Sequence, residues 1–102
     1  MPDKDKIIKI LKSKLTVQFI EIIDESFKHA GHNPEAQKGG THLELFIVSS
    51  DFTGKPLLKR HRLINDILKD AFHEGLHALS IKALAPDEYR PWLLKIQNLS
   101  RI

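Results

Sequence analysis

The chain has 102 residues and no cysteine, with 41% hydrophobic and 28% charged residues and a formal net charge of +3. That length predicts a single domain over residues 1–102. The missing thiols exclude a disulfide framework and any thiolate metal site built by this chain alone. No apolar run approaches the roughly 20 residues that span a bilayer, so no membrane partner is expected. The opening Met1-Pro2-Asp3-Lys4-Asp5-Lys6 is mixed in charge and lacks an apolar signal core, which predicts a cytoplasmic protein.

Asp5 to Leu15 reads as an amphipathic helix, because Ile7, Ile8, Leu11 and Leu15 recur at helical spacing with Lys6, Lys9 and Lys12 outside. Thr16 to Asp24 is β-branched and aromatic and reads as a strand. Ser26 to Gly40 follows as a polar loop of about 15 residues carrying His29 and His32, and loops of that length in compact domains tend to be functional or disordered. His42 to Ser49 is a second strand, in which Leu43, Leu45 and Ile47 alternate with His42, Glu44 and Phe46.

Asp51 to Gly54 is a turn, and Pro56 to Phe72 is the strongest helix, with Pro56 suited to its first position. Its apolar stripe is drawn by Leu57, His61, Ile64, Leu68 and Ala71. Gly75 closes the next connection. Leu76 to Leu84 is a third strand with His77, Leu79, Ile81 and Ala83 on one face. Pro86 starts a last helix, with Asp87 and Glu88 near its positive end. Pro91 is expected to break or kink it early, and Tyr89, Trp92, Leu93 and Ile96 to pack it on the domain. The order α-β-β-α-β-α predicts a two-layer α+β domain with a three-stranded sheet whose first two strands are antiparallel.

Six histidines in a chain without thiols raise the question of metal chemistry, since imidazole is the commonest metal ligand. On the residues alone, His77 also reads as a half-buried strand residue bonded to the backbone, and His29 as a solvated loop residue. His61 lies on the apolar stripe and reads as mainly structural, needing a hydrogen-bond partner once buried. Arg60 and Arg62 flank that stripe and are expected to be exposed. With Lys55 and Lys59 they form a basic patch, open to three readings: phosphate contact, docking of an acidic partner or of glutathione, or a solvated helix face.

Phe52-Thr53-Gly54, Arg60-His61-Arg62-Leu63 and Leu76-His77-Ala78-Leu79, in that order and spacing, together with Asp24-Glu25-Ser26, His29 and Thr41-His42, resemble the BolA family from about Ile7 to Trp92. The resemblance implies a fold similar to class II KH domains. It also implies a small non-enzymatic protein of iron–sulfur trafficking or iron regulation that shares a [2Fe-2S] cluster with a monothiol glutaredoxin and glutathione. His77 matches one family ligand and His29 the loop ligand of the His type; His32, three residues on, is an alternative. Two imidazoles cannot complete a cluster of two irons, so the isolated chain is expected to hold none. Some members of the family are described as DNA-binding transcriptional regulators with roles in stress response, which gives the alternative reading. Contacts to DNA would then be mostly to phosphate. RNA clamping of the KH kind is not expected, because the chain has no G-x-x-G loop.

His73-Glu74-Gly75-Leu76-His77 matches the zinc-protease pattern H-E-x-x-H in letters. That chemistry needs both histidines on one continuous helix. Gly75 and the alternation after it argue against a helix there.

Overall fold

The computed structural model describes residues 4–24, 42–76 and 78–100, the side chains of residues 96–100 excepted. Helix α1 (Lys4–Lys14) leads into strand β1 (Val17–Asp24), and β2 (His42–Ser49) ends in a single 3-10 turn (Ser50–Phe52). Helices α2 (Leu57–Ile67) and α3 (Lys69–His73), strand β3 (Ala78–Leu84) and helix α4 (Pro86–Ser100) complete the chain. The sheet order is β1-β2-β3. β1 pairs antiparallel with β2, with Ile20 opposite Ile47, and a register shift between Val17 and Phe19. β3 pairs parallel with β2, with Leu45 opposite Ile81. A parallel neighbour needs a crossover, and α2 and α3 supply it.

One face of the sheet holds the core. Leu43, Leu45 and Ile47 of β2 are buried there with Ile22 of β1 and Ala83 of β3. Ile7 and Leu11 of α1 and Ile64, Leu68 and Ala71 around α2 and α3 close over them. Each large aliphatic side chain so buried contributes about 1.5–3 kcal/mol relative to exposure. The expected α+β class and element order are therefore present, and the alternation of β2 is as the sequence predicted.

Three local expectations differ. The helix foreseen over Pro56–Phe72 is two helices, joined at Leu68, whose backbone (φ −94°, ψ 14°) departs from helical values. No Gly or Pro marks that join. Bonds run across it, from the Leu68 N–H to the Ile64 carbonyl and from the Phe72 N–H to the Leu68 carbonyl. Pro56 caps α2 from outside rather than opening it. Pro91 neither breaks nor ends α4, which runs through it to Ser100. Its missing N–H falls in the second turn, where one i→i−4 bond is forgone.

α4 lies over the sheet face opposite the core. Trp92 packs on Phe46 with ring centroids 4.7 Å apart. Tyr89 stacks on Phe19 at 5.7 Å. Phe19 and Phe46 meet edge-on at 5.7 Å. Aromatic pairs of this kind add about 0.5–1.5 kcal/mol beyond their buried area.

Candidate functional site

Phe52-Thr53-Gly54 is the hinge between sheet and crossover. Phe52 is fully buried. Gly54 takes φ +77°, a left-handed conformation that costs glycine little. The turn is tied back to the α1–β1 junction. Asp51 Oδ2 accepts the Thr16 N–H at 2.7 Å, and the buried Ser49 hydroxyl donates to the Thr16 carbonyl at 2.7 Å. Ser50 N–H bonds the Gln18 side-chain carbonyl at 2.8 Å.

From this hinge the expected basic patch divides. Lys55, Lys59 and Arg62 are exposed and, with Lys69, line one shallow concavity on the outer side of α2. Asp66 is the single acid in its wall. Lys69 lies outside the Arg60-His61-Arg62 cluster on which sequence reasoning concentrated. Its step of seven residues from Arg62 puts it two turns along the same helical side.

Arg60 does not belong to this surface, contrary to the expectation that it would be exposed. Its relative exposure is 5%. The guanidinium donates from Nε to the Lys55 carbonyl at 2.7 Å and from Nη1 to the Ala83 carbonyl at 3.0 Å. Both Nη atoms reach the Glu88 carboxylate, at 2.6 and 3.2 Å. Glu88 Oε1 also accepts the Ala85 N–H at 2.7 Å, closing the first turn of α4. The Arg60 bonds, and secondarily that N–H, hold the Glu88 carboxyl below the usual glutamate range. Arg60 thus takes the inward position that the sequence reading gave to its neighbours. Leu57 is 61% exposed, and His61 is half-buried rather than in the core.

The candidate cluster ligands His29, His32 and His77 lie outside the described residues. Their flanks are described. β1 ends at Asp24 opposite Leu43, and β2 begins at His42 opposite Ala78, the first residue of β3. Asp24, His42 and Ala78, the described residues that flank positions 25–41 and 77, therefore lie together at one end of the sheet. His42 itself is half-buried there. Among the described residues, no cluster of three or more His, Asp or Glu forms a metal site, and no helix is long and apolar enough to cross a membrane.

The H-E-x-x-H letters do not lie on a helix. α3 ends at His73, and Gly75 takes φ +123°. Glu74 donates nothing to a site of that kind: it pairs with Lys6 of α1 at 2.8 Å. The Lys6 ammonium, through that hydrogen bond first and its charge second, holds the Glu74 carboxyl below its ordinary range.

Comparison with known proteins agrees with this architecture. Residues 11–88 match the family model for BolA, BolA-like protein. SufE-like protein 1, chloroplastic/mitochondrial, of Arabidopsis thaliana is 48% identical over 82 residues, which is 76% of this chain but 22% of that protein. The chain thus corresponds to a part of that longer relative, whose solved BolA domain superposes with a TM-score of 0.73 over 82% of this chain and 92% of the domain. UV-induced protein uvi31 of Schizosaccharomyces pombe is 42% identical over 86% of this chain and 90% of its own length. The solved BolA1 of Arabidopsis thaliana is 34% identical, with a TM-score of 0.75 over 86% of this chain and 96% of that one. With three quarters of its length inside the family model and a solved BolA domain superposing over 82% of it, this chain belongs to the BolA family.

Proposed function

We propose that the chain is a non-catalytic cluster partner: it shares a [2Fe-2S] cluster with a monothiol glutaredoxin, using His77 together with His29 or His32. The observation that carries this reading is that Asp24, His42 and Ala78 lie together at one end of the sheet. Residue 77 directly precedes Ala78 in the sequence, and positions 29 and 32 fall between Asp24 and His42.

The donor chemistry points the same way. This chain offers imidazoles and no thiolate. The cluster needs thiolates, which a glutaredoxin cysteine and glutathione supply. Histidine ligation raises the potential of such a cluster and makes it sensitive to protonation. The setting is a compartment rich in glutathione, in our reading the cytoplasm, with the protein acting in iron–sulfur trafficking or iron regulation.

The test is titration of the protein into a glutathione-bound, cluster-loaded monothiol glutaredoxin, followed by visible circular dichroism and native mass. A heterodimer carrying one cluster with a new spectrum is expected. His77→Ala should retain its fold and lose that spectrum, and separate His29→Ala and His32→Ala variants identify the loop ligand. No complex and an unchanged spectrum with the wild-type chain would sink the reading.

The concavity walled by Lys55, Lys59, Arg62 and Lys69 favours a second reading. Four cations against one acid suit a phosphate backbone, as in a DNA-binding transcriptional or stress-response regulator.

A further inference from the structure

Among the described residues, the sheet face opposite the core is only partly covered. Beyond Trp92, which rests on Phe46, the strands lie open in cross-strand rows. Ile23, Glu44 and Ser80 form one row, and Glu21, Phe46 and Lys82 the next. With Trp92 as a wall they bound a groove of about 310 Å3. Ile23 is 49% exposed at one margin. An open apolar hollow beside a tryptophan is the anatomy of a contact site, where a few aromatic and aliphatic side chains carry most of the binding.

Two carboxylates sit in that hollow. Glu21 and Glu44 are exposed, and among the described residues lining it the single cation is Lys82. Among the described residues neither carboxylate is held in an ion pair. The groove is thus locally acidic on a chain whose net charge is +3. It also faces away from the basic outer side of α2, which lies across the core.

We propose that this groove docks a protein segment presenting an apolar side chain flanked by lysine or arginine. The apolar side chain fills the space between Ile23, Phe46 and Trp92, and the cations meet Glu21 and Glu44. Nucleic acid and anionic lipid do not fit, because their phosphates would face two carboxylates. The inference stands apart from cluster sharing and rests only on the sheet face and α4.

Trp92 is the only tryptophan in the chain, so its emission reports on the groove directly. The full-length protein is titrated with a synthetic amphipathic Leu/Lys peptide and, in parallel, with a Leu/Glu peptide of the same pattern. Attraction to the net charge alone would favour the acidic peptide. The expected result is a saturable blue shift with the Leu/Lys peptide only, with amide resonance shifts at Ile23, Phe46 and Ser80. The Glu21→Gln/Glu44→Gln variant, its fold checked by far-UV circular dichroism, should bind about tenfold more weakly. Equal response to both peptides, unchanged affinity in the double variant, or resonance shifts confined to α2 would each overturn the proposal. So would a Trp92 emission that moves on simple dilution, since that would show a second copy of the chain covering the groove.

Discussion

Arg60 and Glu88 face each other fork to fork, with Nη1 2.6 Å and Nη2 3.2 Å from the two carboxylate oxygens. The same guanidinium bonds the carbonyls of Lys55 and Ala83. One side chain therefore joins the entry to α2, the exit of β3 and the first turn of α4. Removing it leaves the Ala83 carbonyl buried without that donor, and Arg60→Ala should lower stability by about 2–3 kcal/mol. Urea unfolding measures this; a loss under about 0.5 kcal/mol would refute the structural role.

The same pair makes the stability of the fold depend on pH on the acid side. Glu88 has a folded value below its usual 4.5, because the Arg60 hydrogen bonds stabilise its charged form. The unfolded state then binds more protons, so stability rises with pH across this window. The stabilisation is complete above the ordinary value and is lost as pH falls through the depressed one. Because the carboxylate is partly open to solvent, it is worth about 1 kcal/mol or less. Unfolding midpoints followed downward from pH 6 should fall more gently in Glu88→Gln than in the wild type. Glu74 acts in the same sense through Lys6.

Gly54 separates backbone strain from crowding. A Cβ added there meets no atom within 4 Å, yet φ is +77°. Gly54→Ala should cost about 1–2 kcal/mol, all of it conformational. Gly54→Asn should recover part of that loss. If alanine proves neutral in thermal melts, the left-handed turn is not required.

The outer side of α2 gives the nucleic-acid reading a sharp test. If Lys59, Arg62 and Lys69 each neutralise a phosphate, replacing any one by alanine lowers the slope of log affinity against log salt by about 0.9 on duplex DNA. Fluorescence anisotropy over a salt series measures it. Wild-type slopes in all three variants would dismiss this surface as a DNA site.

Much of this could be read from the chain. β2 alternates from Leu43 to Ile47, and Leu43, Leu45 and Ile47 are buried as their spacing requires. The basic face of α2 was visible in Lys55, Lys59 and Arg62. Arg60 was not. Counting back from Ile64, steps of three and four reach His61 and Arg60 alike, and a charged residue is seldom fully buried unless paired. Its partner Glu88 is 28 residues away in sequence, beyond any local pattern. The break at Leu68 carries no residue signal either, since no Gly or Pro stands there. The sheet groove was hidden too, because it depends on register between three strands and on where α4 comes to rest.

The Arg60 clamp also bears on the order of folding. Its local acceptor, the Lys55 carbonyl, lies five residues back, but the Ala83 carbonyl and the Glu88 carboxylate meet it only once the third strand and last helix have reached the crossover. Interactions absent from the transition state are felt in how fast a protein comes apart rather than how fast it forms. If the Ala83 and Glu88 bonds form after the transition state, Arg60→Ala speeds unfolding and leaves the folding rate near that of the wild type.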